Sequence, residues 1–246
     1  MHNKPVLAKI TILLLTCLLN VAALASTPAD VEGAYQTVKN TTDKVLSLAE
    51  QAKGYYDKEP ERFYAEIRKM LDEVTDFQSF ARSVMGRHAG IPAMAKLDAA
   101  GKAKLQGQIQ QFANVFREGL VKTYAVGIFN FNGQKIEVIR PKANPSDNSG
   151  SVNVVQLIYG EAAKPYVVQY KMRAAQNQQW KVRNIIIEGI NLGIVYRNQF
   201  DTAMVTHKND IDKVIANWSV TANDEVKVVS NKDNSPDAAA PAEKAM

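Results

Sequence analysis

The chain has 246 residues, 46% of them hydrophobic and 22% charged, with a net charge of +5 at pH 7. These proportions fit a soluble globular protein of one or two domains and exclude collagen-like, coiled-coil, wholly disordered and polytopic membrane chains. The basic excess is too small and too spread out for a nucleic-acid surface, so no nucleic-acid partner is expected.

Residues 1–25 read as a cleaved secretory signal peptide: Lys4 and Lys9 come first, then the apolar run Ile10–Leu19, then the small-x-small site Ala23-Leu24-Ala25. The apolar run is shorter than the ~20 residues of a membrane span. Cleavage after Ala25 removes Cys17, the single cysteine. Disulfides, thiolate metal sites and cysteine catalysis leave with it.

The next hundred residues carry helical periodicity. Val31, Tyr35, Val38, Val45, Leu48 and Ala52 predict one long helix. Glu59-Pro60 opens a second, with proline at the first helical position and an apolar stripe of Phe63, Ile67, Met70, Leu71 and Val74. A short element covers Phe77–Met85, and Gly86, Gly90 and Pro92 break the pattern. Asp98 is placed to cap a long helix, along which Leu105, Ile109, Phe112, Phe116, Leu120 and Tyr124 recur at three- and four-residue steps.

From Gln134 the period changes to two. Lys135–Arg140, Ser151–Tyr159, Pro165–Met172 and Gln179–Ile187 read as four strands joined as antiparallel hairpins. In the third, Tyr166, Val168, Tyr170 and Met172 make an apolar face, and Val167, Gln169, Lys171 and Arg173 a wet one. Gly189 ends the last strand, Asn191 caps a helix from Leu192 to about Val205, and a further short helix fits Asn209–Trp218. Val220–Val229 fits an edge strand or an extended tail, and Asn231–Met246 has a disordered composition.

The fold class is therefore α+β: a helical part over about 26–130, a sheet with closing helices over about 131–220, and a low-complexity tail at 221–246. The basic excess falls on the strand half. Lys171, Arg173, Lys181 and Arg183 are candidates there for docking acidic partners or lipid phosphates.

Catalytic and metal motifs are missing. The mature chain keeps only His88 and His207, neither at metal-ligand spacing, and it has no Gly-x-Ser-x-Gly elbow, phosphate loop or dinucleotide fingerprint. No catalytic residue, metal or cofactor is expected. What remains is apolar and aromatic surface, which suits binding better than conversion.

Two blocks carry a family resemblance. Asp76–His88, DFQSFARSVMGRH, resembles the Asp-Phe…Ala-Arg-x-Val-Leu-Gly-Arg-Tyr block of MlaC, a family of periplasmic phospholipid carriers also called toluene-tolerance proteins. The second is a strand, turn and helix holding Trp180, Val182, Glu188-Gly189-Ile190-Asn191-Leu192, Tyr196-Arg197 and Phe200. Asn184 stands where the family often has Asp, Asn191 where it has Ser, and His88 where an aromatic is usual.

The resemblance implies an NTF2-like curved antiparallel sheet packed with helices. Between them it implies a cavity for the acyl chains of a phospholipid. It also implies a periplasmic location and shuttling between an outer-membrane MlaA-type lipoprotein with its porin and an inner-membrane MCE-domain ABC transporter, to maintain outer-membrane lipid asymmetry. Moving about thirty methylenes out of a membrane costs on the order of 25 kcal/mol, so both tails must be buried almost completely. On that implication the lining is Phe112, Phe116, Tyr124, Val155, Leu157, Tyr166, Val168, Tyr170 and Leu192, with Val154 and Ile158 replacing Val155 and Leu157 if the strand parity is shifted by one. Two other readings stay open. One is an NTF2-like isomerase or hydratase using Tyr170 or Tyr159 with Asp201 or His207. The other is an envelope adaptor whose cavity is filled by its own side chains.

Overall fold

The structure, a computed structural model, describes residues 31–131, 135–142, 149–160 and 164–220. The predicted signal peptide at 1–25 and the predicted low-complexity tail at 221–246 lie outside the described residues.

Helices α1 (Val31–Ala52), α2 (Pro60–Val74), α3 (Phe77–Met85), α4 (Ile91–Ala95) and α5 (Ala99–Phe129) come first, with a single 3₁₀ turn at Gly86–His88. Strands β1 (Ile136–Ile139), β2 (Ser151–Ile158), β3 (Tyr166–Ala174), β4 (Trp180–Ile187) and β5 (Ile190–Asn191) follow, then α6 (Leu192–Thr206) and α7 (Ile211–Ala216). The α+β assignment stands, and the predicted helices and the four predicted strands lie within a few residues of their expected bounds.

Local chemistry explains the boundaries. Pro60 opens α2 as predicted, and Asp98 caps α5 by accepting from the Gly101 N–H at 2.7 Å. Asp76 caps α3 through Ser79 N–H at 2.9 Å, and Asp210 caps α7 through Lys213 N–H at 3.2 Å. Gly86 ends α3 at φ +53°, where a side chain would also press on Arg197. The two-residue β5 was not predicted. Glu188 and Gly189, both at positive φ, form a tight hairpin turn that pairs Ile187 with Ile190. A strand of two residues has no period to read.

The sheet is an antiparallel meander in the order β1-β2-β3-β4-β5. A register shift between Lys171 and Met172 marks a bulge, which sharpens the local twist. Helix α1 packs on β1, β2 and β4, and α6 packs on β4 and β5, while β3 packs chiefly on its neighbouring strands. Among the described residues no helix is long and apolar enough to cross a membrane.

Three apolar clusters hold the body together. The largest joins α3, α5, α6 and α7 around Phe80, Phe112, Phe116, Tyr196 and Phe200. The second joins α1 to the inner sheet face through Ala34, Val38, Val152, Val154, Met172, Trp180 and Val182. The third joins α1, α2 and the end of α5 through Ala52, Phe63, Ile67, Val121 and Ala125.

Candidate functional site

Strand register decides which residues share the inner face. Val154 pairs with Tyr170, Gln156 with Val168 and Ile158 with Tyr166. On the other side of β3, Val168 pairs with Ile187 and Tyr170 with Ile185. Paired residues point to the same face, so the inner face of β3 continues through Val154, Gln156 and Ile158 on β2 and Ile185 and Ile187 on β4. Val168 is buried, and Ile158, Tyr166, Tyr170, Ile185 and Ile187 are half-buried.

This register corrects one expectation. Val155 pairs with Gln169 and Leu157 with Val167, so both lie on the outer face, opposite Val168 and Tyr170. The shifted pair, Val154 and Ile158, takes the inner positions. The physical reason is the composition of β2. Val152, Val154, Val155, Leu157 and Ile158 are apolar on both parities, so alternation there carries no sign. For the same reason the outer face is not wholly wet: half-buried Val155, Leu157, Val167 and Ile186 and exposed Ile139 lie on it.

The remaining lining candidates divide among separate places. Phe112 and Phe116 are fully buried and stacked on each other, with ring centroids 5.7 Å apart. Phe112 meets Phe200 and Trp218 edge-on, each at 4.9 Å. Phe116 meets Phe80 at 5.2 Å and Tyr196 at 5.1 Å. Leu192 belongs to the same packed cluster. These three therefore belong to a ring-filled helical core, which meets the inner sheet face through Ile185 and Ile187. Tyr124 packs at the edge of that core, and its hydroxyl lies 3.1 Å from that of Tyr196. Burial raises the pKa of both phenols.

Tyr170 has a different setting. Its hydroxyl donates to Gln156 Oε1 at 2.8 Å, and Gln156 Nε2 donates to Thr42 Oγ1 of α1 at 2.7 Å. Burial pushes the Tyr170 phenol up to about 12. Gln156 is buried, and nothing in its local sequence distinguishes it from a surface glutamine. Register alone turns it inward.

The four docking candidates also separate. Lys171 and Arg173 are exposed on the outer face. Arg183 instead pairs with Asp76 at 2.8 Å, and Lys181 reaches the carbonyl oxygen of Glu73. Both are drawn to the α2–α3 junction, where Thr75 bridges to Val182 and Asp76 N–H donates to the Val182 carbonyl at 3.0 Å.

The two blocks that carry the resemblance face each other. Arg197 of α6 donates to the Ser83 carbonyl at 2.8 Å and to its hydroxyl at 3.1 Å. His88 Nε2 lies 2.9 Å from Asp201, with its ring 5.9 Å from that of Phe200. The histidine thus keeps a ring contact and adds a carboxylate partner. Asn184 and Asn191 jointly hold the start of α6: Asn184 accepts from Gly193 N–H at 3.0 Å, and its amide donates to Asn191 at 2.8 Å. A β-carbon at Gly193 would fall 2.7 Å from the Asn184 side-chain oxygen.

The acid–base groups of the enzyme reading belong to separate networks. Asp201 is engaged with His88 and Arg87, Tyr170 with Gln156, and Tyr159 with Glu137 at 3.3 Å. No group of three or more metal-ligating side chains stands together among the described residues. Two surface grooves lie away from Tyr166, Val168 and Tyr170. One, of about 440 Å³, runs along α6 by Asn198, Thr202 and His207. The other, of about 560 Å³, lies by Thr37, Glu73, Gln179 and Trp180.

The model of the MlaC protein family matches residues 39–220. The toluene tolerance protein ttg2D of Pseudomonas putida is 32% identical over 220 residues, covering 89% of this chain and 90% of that protein. The solved structure of the phospholipid-binding protein from Ralstonia solanacearum, in complex with a phospholipid, aligns with a TM-score of 0.56 at 24% identity. That alignment covers 74% of this chain and 93% of the other, and it is a likeness of fold.

Proposed function

Since the chain belongs to the MlaC protein family, we propose that it is an exported, periplasmic phospholipid carrier. Its signal peptide at 1–25 is removed, and residues 26–220 form the carrier. It takes lipid between an outer-membrane complex, built on an MlaA-type lipoprotein with a porin, and an inner-membrane MCE-domain ABC transporter. Its role is to maintain outer-membrane lipid asymmetry.

The observation that carries this reading is the inner face of β3. Tyr166, Val168 and Tyr170, flanked by Ile158 and Ile187, form a continuous apolar surface, most of it half-buried, on a strand that no helix packs extensively. A half-buried apolar surface at the edge of the core suits an apolar guest. The description of the Ralstonia protein as holding a phospholipid supports the same ligand class. The lining proposed for the acyl chains is accordingly Tyr166, Val168, Tyr170, Ile158 and Ile187, ending at Val154, which is fully buried against α1. Phe112, Phe116 and Leu192 act as a rigid support beside it, with Tyr124 at their edge. Lys171 and Arg173 remain the candidates for meeting anionic partners.

Native mass spectrometry of protein exported with its own leader and purified without detergent tests the reading. A mass excess equal to one or two phospholipids is the expected result. A clean protein mass, unchanged after incubation with liposomes, contradicts it and returns weight to a filled-cavity adaptor.

A further inference from the structure

Gln156 interrupts the apolar inner row of β2, between Val154 and Ile158. It is only 5% exposed. Burying an amide costs free energy unless its hydrogen bonds are met, and a leucine of similar size would pack there without that cost.

Two neighbours fix how the amide stands. Thr42 Oγ1 gives its single hydrogen to the Val38 carbonyl at 2.9 Å, so toward Gln156 it can only accept. Gln156 must therefore turn its nitrogen to Thr42 and its oxygen to the Tyr170 hydroxyl. The amide nitrogen carries two hydrogens, and Thr42 takes one. The second is a donor held in a fixed orientation by α1 on one side and β3 on the other. It also stands at a boundary. Toward Val152 and Met172 the inner face is packed against α1, and toward Ile158, Tyr166 and Ile187 it is half-buried.

Resting on the carrier reading, we propose that Gln156, held by Thr42 and Tyr170, is an ester-reading site. Its second amide N–H donates to an acyl-ester carbonyl of a phospholipid whose tails lie against Val168 and its neighbours. The site would thereby select acyl esters over ligands that are equally apolar but lack the carbonyl. Pre-orientation is what makes one hydrogen bond effective, because no further ordering is needed when the ligand arrives.

The test uses the purified mature protein and vesicles holding equal amounts of a diester phosphatidylglycerol and its diether analogue with the same chains. Bound lipid is read by native mass spectrometry. The wild type is expected to load the diester over the diether by about fivefold to tenfold, the worth of one such bond. Gln156→Leu should bring the ratio to about one, and Tyr170→Phe should leave an intermediate ratio. If Gln156→Leu does not fold, Gln156→Met gives the same readout. Equal loading by the wild type, or a preference that persists in the folded Gln156 variants, overturns the ester-reading site. Loading of neither lipid overturns the carrier reading instead.

Discussion

Around Phe112 and Phe116 the rings of Phe80, Tyr196, Phe200 and Trp218 interlock, each meeting one of those two phenylalanines edge-on within 5.2 Å. Between α1 and the sheet the packing is of smaller side chains, Ala34, Val38, Val152, Val154 and Met172, with a buried amide beside them. The first region is held by contacts that no small guest can replace. The second is held partly by hydrogen bonds that a ligand oxygen or nitrogen can exchange. The difference teaches that burial alone does not mark a binding wall. Phe112 and Phe116 lie on a regular apolar stripe of the sequence and are fully buried in the fold. Half-buried strand residues are the better place to look for a guest.

The largest break in this comparison comes from emptying the ring core. Phe116→Ala should destabilise the fold by about 3–5 kcal/mol, measured by denaturant unfolding, without altering which lipids are bound by the fraction that stays folded. A lipid profile changed more than stability would place Phe116 at the ligand instead.

Alkaline titration separates the two regions less drastically. In the unfolded chain a tyrosine ionises near 10, whereas buried Tyr170 holds its proton to about 12. The unfolded state therefore sheds its proton first. Stability from this group is intact below about pH 10 and declines as pH rises toward 12. Tyr124 and Tyr196 shift in the same direction, and burial is the largest cause in each. Tyrosinate absorbance and circular dichroism followed together should show a late group of tyrosines ionising with unfolding. In Tyr170→Phe the unfolding limb should move to higher pH.

Gly86→Ala touches the joint between α3 and α6. The substitution forces a β-carbon onto φ +53° and sets it 3.1 Å from the Arg197 side chain. A loss of about 1–2 kcal/mol in thermal or denaturant melts is expected, most of it from the backbone because the arginine can move. The smallest effect on stability belongs to Lys171→Glu with Arg173→Glu on the exposed outer face. Stability should change by no more than about 0.5 kcal/mol. Lipid load should stay constant, while transfer to anionic vesicles at low salt slows by up to about tenfold. An unchanged transfer rate would remove these two residues from the docking surface.

Much of the fold was legible because its boundaries are set by local chemistry. Pro60, Asp98 and Asn191 each begin a helix where a residue of that kind should, and the change of period near Gln134 marks the start of the sheet. The site was less legible because its determinants are non-local. Parity in β2 is settled by pairing with β3, not by the two-sided apolar run itself. Gln156 acquires meaning only when Thr42, more than a hundred residues earlier, comes within 2.7 Å. Lys181 and Arg183 look like surface cations until the α2–α3 junction claims them. The two resemblance blocks could be found separately in the sequence, but their shared interface through Ser83 and Arg197 could not.

The most direct measurement sets the two sheet faces against each other. Val168→Glu and Val155→Glu place the same charge one row apart, on the inner and outer face respectively. Each folded variant is purified without detergent and its bound phospholipid is counted. The account predicts that Val168→Glu loses nearly all lipid while Val155→Glu keeps the wild-type load. Lipid retained by a folded Val168→Glu, or lost only from Val155→Glu, would contradict the assignment of the inner face of β3 as the lipid wall.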